Sequence, residues 1–285
     1  MAFVALTKPR IIELLLVTTV PTMIVAERGL PSVWLIVWTV VGGTLAAGGA
    51  NAYNMYVDRD IDRLMERTKG RPLVTGEVAP AHALIFATAL EVAAFALLWS
   101  QVNLLSAVLA ASACAFYVLV YTIWLKRTSK QNIVIGGAAG AAPVLIGWSA
   151  VTGTVGVEAW VLFALMFMWT PPHFWALAIK YAEDYRAADV PMLPAVATPS
   201  NTARQMVAYT VPVAVLGVVF APVADLGWIY LAVAILAGGA FLWHTVSLLN
   251  DLSARRPMKV FGYSITYVTL LFAAMAVDVF VTVGV

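Results

Sequence analysis

Asn54, Asp58 and Asp62 stand four residues apart in the run NAYNMYVDRDIDRLMERTKGRP. On a helix, positions i, i+4 and i+8 share one face, so this spacing builds a row of oxygen ligands. Two carboxylates held side by side repel each other and are costly to desolvate. A hard divalent cation relieves both penalties, which points to chelation. Arg59, Arg63, Arg67, Lys69 and Arg71 crowd the same stretch and complement an anion. Metal and arginine at the edge of an apolar segment suit a substrate with a diphosphate head and a greasy tail. The competing structural readings are a helix cap or salt bridges to Arg59 and Arg63, with the other basic residues serving only as topology determinants. Asp60 points off the row, toward solvent.

A second polar cluster lies in PPHFWALAIKYAEDYRAADVPMLP. Lys180 and Asp184 are one helical turn apart there, and Asp189 follows. Lys180 either meets an anion or snorkels to lipid head groups. The chain thus repeats one plan, an apolar helix running into a carboxylate-rich segment, at 54–62 and again at 180–189. This reads as a weak internal repeat whose acidic segments face each other across one cavity. One or two Mg²⁺ ions would then bridge carboxylates and diphosphate oxygens.

The elements that must position these residues are membrane helices. With 62% hydrophobic and 11% charged residues and a mean hydropathy of +0.89 over 285 residues, the chain lies outside the soluble globular range. Nine apolar spans are predicted, at approximately 11–26, 34–56, 81–99, 104–124, 133–151, 159–179, 207–223, 227–248 and 262–284. The first is the shortest and carries Glu13 and Pro21. The amino terminus and the segments 57–80, 125–132, 180–206 and 249–261 hold 16 of the 17 Lys and Arg residues. The positive-inside rule makes these segments cytoplasmic, with the amino terminus inside and the carboxyl terminus outside. The net charge of +2 therefore reports topology and lends no support to nucleic-acid binding.

Lys8 and Arg10 precede the first span without a small-residue cleavage site, so that span is expected to be retained. Cys114, the only cysteine, excludes an intrachain disulfide and is expected to be a buried small hydrophobe. Gly42, Gly43, Gly48 and Gly49, and the GxxxG of Gly136 and Gly140, read as close helix packing or as room for a ligand. Pro143, Pro171 and Pro172 are expected to interrupt their helices. Glu91, inside the third span, must face protein or a water-filled cavity.

NxxxDxxxD, followed by a second aspartate-bearing loop after the sixth of nine spans, resembles the UbiA superfamily of intramembrane prenyltransferases. The segments DRDIDRLMERTKGRPL, LKRTSKQNIVIGGAAGAAPVLIGW and PPHFWALAIKYAEDYRAADVPMLP are similar to its haem-modifying branch, the protohaem IX farnesyltransferases. The resemblance covers essentially the whole chain. It implies an all-α integral membrane fold, nine helices around a central cavity, as a single domain over 1–285 in a bacterial-type cytoplasmic membrane. It also implies transfer of the farnesyl group of farnesyl diphosphate to a vinyl group of haem B with addition of water, giving haem O and diphosphate. Mg²⁺ is the implied cofactor and haem B a substrate; coupling to haem A synthesis and terminal oxidase assembly is implied as well.

By the same resemblance, Asn54, Asp58, Asp62 and Asp184 are the metal and catalytic set. Lys126 and Arg127 match the basic pair that the family places near the diphosphate, and Arg67, Arg71 and Lys180 are expected diphosphate contacts by their charge and position. The broader family often shows YxxxKxxxD or DxxxD in the second loop. Here Ala176 replaces the tyrosine, and Ala188 holds the last position with Asp189 displaced by one, so Asp189 is not carried over. His173, beside Pro171 and Pro172, could ligate haem iron, accept a proton after addition to the vinyl group, or bond a freed carbonyl. Two other activities fit the residues: prenylation of an aromatic quinone precursor, and transport of an amphipathic anion. Acidic residues at the cytoplasmic ends argue against transport.

Overall fold

The computed structural model describes residues 1–251 and 255–283, with side chains for all of these except 10–16 and 283. All regular structure among the described residues is helical. In hydrocarbon only a helix or a closed barrel satisfies its own backbone. The long helices are α1 (Pro9–Glu27), α2 (Val33–Asp62), α3 (Pro80–Gln101), α4 (Leu104–Ala115), α5 (Asn132–Thr152), α6 (Val157–Lys180), α7 (Pro199–Val223), α8 (Trp228–Val246) and α9 (Arg255–Val283). All but α1 are long and apolar enough to cross a membrane, α4 as part of the continuous stretch Leu104–Thr128 and α8 with its extension to Leu249, and α1 contributes the shorter apolar segment Val17–Glu27. The protein is a multi-pass membrane protein with the expected nine-span plan. The Glu13 side chain and the end of the last span, at 284, lie outside the described residues.

Helix α2 carries the apolar span 34–56 on to Asp62, as the helical row at 54–62 requires, and its last turns are buried among neighbours. Three departures from the sequence reading bear on the site. Helix α7 starts at Pro199, well before 207, where the Thr198 side chain accepts a hydrogen bond from the Asn201 amide at 3.2 Å; a Thr N-cap followed by Pro is a strong start signal. Helices α5 and α6 continue unbroken through Pro143, Pro171 and Pro172. Packing of these helices against each other and their neighbours overrides the local penalty, and Thr170 Oγ1 donates to the Met166 carbonyl at 2.9 Å. Finally, α4 widens into a π-helix over Phe116–Leu125 before the short turn Lys126–Thr128.

The two halves of the bundle are packed differently. Around α6–α9 the core is aromatic and tight, with Trp175, Phe220, Tyr230, Phe241, Tyr267 and Phe272 fully buried. Around α2–α5 the facing side chains are small. Gly42 and Gly49 bring α2 against Leu98 and Glu91 of α3, and Gly147 brings α5 against the Thr19 carbonyl of α1. Small residues on several helices at once leave a void that backbones cannot close.

Asp278 shows how the far end of the tight half is held. Buried within α9, its carboxylate accepts from the Gly227 amide and, at 3.1 Å, from the Tyr230 amide. It thereby caps α8 from outside that helix. Asp278→Ala leaves two amides unpaired and is expected to destabilise the protein by about 1–3 kcal/mol, read as a lowered Tm in detergent with the substrate site unaltered.

Candidate active site

The void is a cavity of about 260 Å³ walled by α1, α2, α4, α5 and α6. Ala, Gly and Thr dominate its surface, and Cβ atoms added at Gly43 and Gly140 would meet nothing within 4 Å. Those two glycines make room, whereas Gly42, Gly48 and Gly49 serve close packing. Cys114 lies on this wall and is only partly buried, which corrects the expectation of a purely buried thiol. The lining reaches Asn51, Tyr117 and Tyr121 at one end, and the acidic row begins one helical turn beyond Asn51.

Asn54, Asp58 and Asp62 are 3%, 0% and 2% exposed. The Asn54 amide donates to Asp58 Oδ2 at 2.8 Å and to Thr122 Oγ1 at 3.1 Å. Lys126 forms an ion pair with Asp58 Oδ2, and Arg127 Nη2 lies 3.9 Å from Asp58 Oδ1. Arg71 Nη1 meets Asp62 Oδ2 at 2.6 Å. The intervening loop folds back on the row because Thr68 Oγ1 donates to the Asp62 carbonyl at 3.0 Å. Arg127 takes a different partner: its guanidinium grips Asp60 through two bonds of 2.7 Å. Asp60 is thus an ion-pair partner rather than a merely solvated group.

The second acidic segment reaches the first. Asp184 Oδ2 accepts from the Arg67 amide at 3.2 Å, and the Arg67 guanidinium lies 5.4 Å above the Tyr181 ring, which Lys180 Nζ also approaches at 5.3 Å. Asp189 is exposed with φ 51° and serves a turn. Among the described residues no three His, Cys, Asp or Glu side chains converge on one point, so Asp58, Asp62 and Asp184 do not form one ligand group. A divalent cation fits the first row nonetheless. That row presents one amide and two carboxylates, and Asp58 Oδ1 is buried with no hydrogen-bond partner among the described residues, the Arg127 contact at 3.9 Å being longer than a hydrogen bond. An orphaned buried carboxylate oxygen is a ready ligand for a hard cation.

Lys8, read from sequence only as a charge before the first span, belongs to this site. It sits in a left-handed conformation (φ 51°) between the short helix Ala2–Thr7 and α1, and its Nζ donates to Asn54 Oδ1 at 2.7 Å. Leu6, fully buried with Ala52, Met55 and Leu73, anchors the short helix, and Asn51 Nδ2 donates to the Thr7 carbonyl at 3.0 Å. Burial pushes the Lys8 ammonium pKa well below its usual value, helped by Arg71 and Lys126 and opposed by Asp58 and Asp62. An arriving anion would restore it. Lys8→Met is expected to weaken inorganic diphosphate binding about tenfold, measured by calorimetric titration in the presence of Mg²⁺. The available signal in the sequence was a Lys-Pro step at the mouth of an apolar span.

His173 does not line the cavity, although its neighbours Thr170 and Phe174 do. It faces α9, stacked between Trp169 at 4.2 Å and Phe261 at 4.7 Å. Its Nδ1 is 2.7 Å from Ser264 Oγ, whose proton goes to the Phe261 carbonyl at 2.6 Å. The imidazole therefore donates from Nδ1 and keeps a lone pair on Nε2. Glu91 packs against Gly49, with Oε1 buried and unpartnered.

Residues 15–276 match the UbiA prenyltransferase family. A protein named protoheme IX farnesyltransferase from Pseudarthrobacter chlorophenolicus is 54% identical, over 98% of this chain and 89% of its own length. One of the same name from Streptomyces coelicolor is 53% identical, over 98% of this chain and 90% of its own. Among solved structures, a UbiA homolog from Aeropyrum pernix superposes with a TM-score of 0.75 at 20% identity, covering 94% of this chain and 98% of its own. Another from Archaeoglobus fulgidus, bound to GPP and Mg²⁺, gives 0.69 at 18% identity, with 96% and 99% covered.

Proposed function

The chain belongs to the UbiA prenyltransferase family, and from that membership and its relatives we infer that it is a protohaem IX farnesyltransferase. It transfers the farnesyl group of farnesyl diphosphate to a vinyl group of haem B, with addition of water, giving haem O and diphosphate. The single observation that carries this reading is identity above one half, over nearly the full length, to proteins of that name. The site gives the reading its chemistry: a buried, cation-flanked acidic row opens onto an apolar cavity that suits a prenyl tail.

In this proposal Asn54, Asp58 and Asp62 would hold Mg²⁺, and Asp184 would contribute from the second loop. When bound, the metal supplies positive charge against the leaving diphosphate. Lys8, Arg71 and Lys126, now paired with the row, turn toward the diphosphate oxygens, and Arg67 and Lys180 close over it from the second loop. Arg127 acts through Asp60, which orients the helix turn carrying Lys126. The allylic C–O bond breaks with its electron pair leaving on diphosphate. The vinyl π pair then bonds to the allylic carbon, and water adds to the resulting cation and releases a proton. The alanine-rich walls exclude water until that last step. The amino terminus and the basic loops lie on the cytoplasmic side, so the site opens there and the carboxyl terminus lies outside. Hand-over to haem A synthesis and oxidase assembly follows from the product.

His173, outside the cavity lining and with its Nδ1 committed to Ser264, suits the haem side of the reaction. His173→Ala is expected to raise the KM for haem B about tenfold while the KM for farnesyl diphosphate stays unchanged; equal losses in both would count against a haem-facing role. The whole reading is tested by incubating purified protein with haem B, farnesyl diphosphate and Mg²⁺ and weighing the extracted porphyrin. A gain of one farnesyl group plus water is expected. An unmodified haem from folded protein would move the reaction to an aromatic acceptor.

A further inference from the structure

Helix α5 begins with a polar side chain that its neighbours do not pair. Asn132 is 0% exposed, and neither its Nδ2 nor its Oδ1 has a hydrogen-bond partner among the described residues. A buried amide with both ends unmet costs stability, so packing does not account for its place and binding does. Helical spacing gives the direction it faces. Asn132, Gly136, Ala139 and Pro143 recur on one face of α5, and the last three line the cavity. A Cβ tilts toward the start of its helix, so the Asn132 side chain points from that lining toward the cavity mouth. The mouth adjoins the acidic row. A Cβ at Gly136 would collide with the Tyr121 ring, and Thr122, next in the chain, accepts from Asn54 Nδ2 at 3.1 Å. The turn leading into α5 carries Arg127 and Lys126, the latter paired with Asp58.

The backbone at this point has the same character. The 21-residue helix α5 presents its positive end here. Ser129 serves the amides of Gln131 and Asn132, through its hydroxyl at 3.1 Å and its carbonyl at 3.2 Å, and Gln131 gives the next amides no side-chain cap. A helix start, an unpaired Nδ2 and a nearby lysine together favour an anionic oxygen over a neutral one. We propose that Asn132 and the first turn of α5 bind the diphosphate head group, with Asn132 Nδ2 donating to a phosphate oxygen across the mouth from the acidic row. This rests on the reading of the site as one for a prenyl diphosphate. Asn132 is a binding residue: its amide holds the head group from the α5 side while the cations of the row meet it from the other. When the C–O bond breaks, its electron pair leaves on diphosphate, and the donor bond to the more negative head group strengthens.

The test is calorimetric titration of inorganic diphosphate, with Mg²⁺, into the protein in lipid discs. Asn132→Leu keeps the volume and removes both polar ends, and is expected to bind diphosphate about 30-fold more weakly. Its Tm without ligand should equal or exceed that of the wild type, because an unpaired buried amide stabilises nothing, and the rise in Tm on adding Mg²⁺ and diphosphate should shrink. A structural amide would move these readouts the other way: a lowered Tm with diphosphate affinity unchanged overturns the proposal. Asn132→Ala, which cannot overfill the site, should show the same loss of affinity, and wild-type affinity in both folded variants overturns the proposal. In turnover, kcat/KM for farnesyl diphosphate should fall at least as far while the KM for haem B stays unchanged. Unchanged diphosphate affinity with a farnesylated product lacking the added water would assign the amide to that water, and also overturns it. Wild-type protein that binds diphosphate yet leaves haem B unmodified removes the acceptor reading alone, with the Asn132 result standing on affinity. Wild-type protein that binds no diphosphate removes both.

Discussion

Asp58→Asn is expected to lower farnesyl transfer about 10³-fold. Asp58 is the centre of the row: one carboxylate oxygen takes the Asn54 amide and the Lys126 ammonium, and the other is buried without a hydrogen bond among the described residues, with only the Arg127 guanidinium 3.9 Å away. Neutralising it removes a charge that would hold the proposed cation and leaves Lys126 facing an amide. The substitution also costs stability, since Asp58 has zero exposure and a buried ion pair that loses one partner costs about 3–5 kcal/mol. Turnover and Tm should therefore be measured together, with Asp58→Asn/Lys126→Met as the charge-balanced control. The double variant should regain stability without regaining turnover. Wild-type turnover in Asp58→Asn would remove the residue from the mechanism.

Chelation with EDTA is the second large effect, a loss of at least about 10²-fold that excess Mg²⁺ reverses. Helicity and Tm should stay nearly unchanged. The reason lies in the cations already at the site: Lys126 and Arg71 pair with Asp58 and Asp62, and Lys8 with Asn54. The carboxylates remain compensated when the metal is withdrawn, so the fold does not depend on it. Circular dichroism and turnover on the same chelated sample check both halves. Full activity in chelator would exclude a metal role for the row.

Local rules reached some of this protein from the chain alone. Apolar windows located nine helices because a membrane requires each segment to satisfy its own backbone. The row of Asn54, Asp58 and Asp62 was legible because four-residue spacing on one helix needs no knowledge of the neighbours. The same local rules failed where packing had the deciding vote. Pro143, Pro171 and Pro172 promised breaks, yet α5 and α6 run through them. The polar start of α7 was taken for loop because its cap depends on Thr198 rather than on hydropathy.

Partnerships across the bundle belonged to the tertiary structure. Lys8 reaches Asn54 across 46 positions, Lys126 reaches Asp58 across 68, and Arg67 meets Asp184 across 117. Arg127 was assigned to diphosphate by resemblance, but Asp60 stands within its reach. By sequence alone haem iron, a proton and a freed carbonyl are all open to His173, whereas the structure pairs it with Ser264 and Phe261 of α9, outside the cavity lining. Hydropathy and helical period are properties of one segment, written in its own residues. Which charge an ammonium meets, and which way an imidazole faces, are properties of the helices that happen to lie alongside, and those are chosen by the packing of all of them at once.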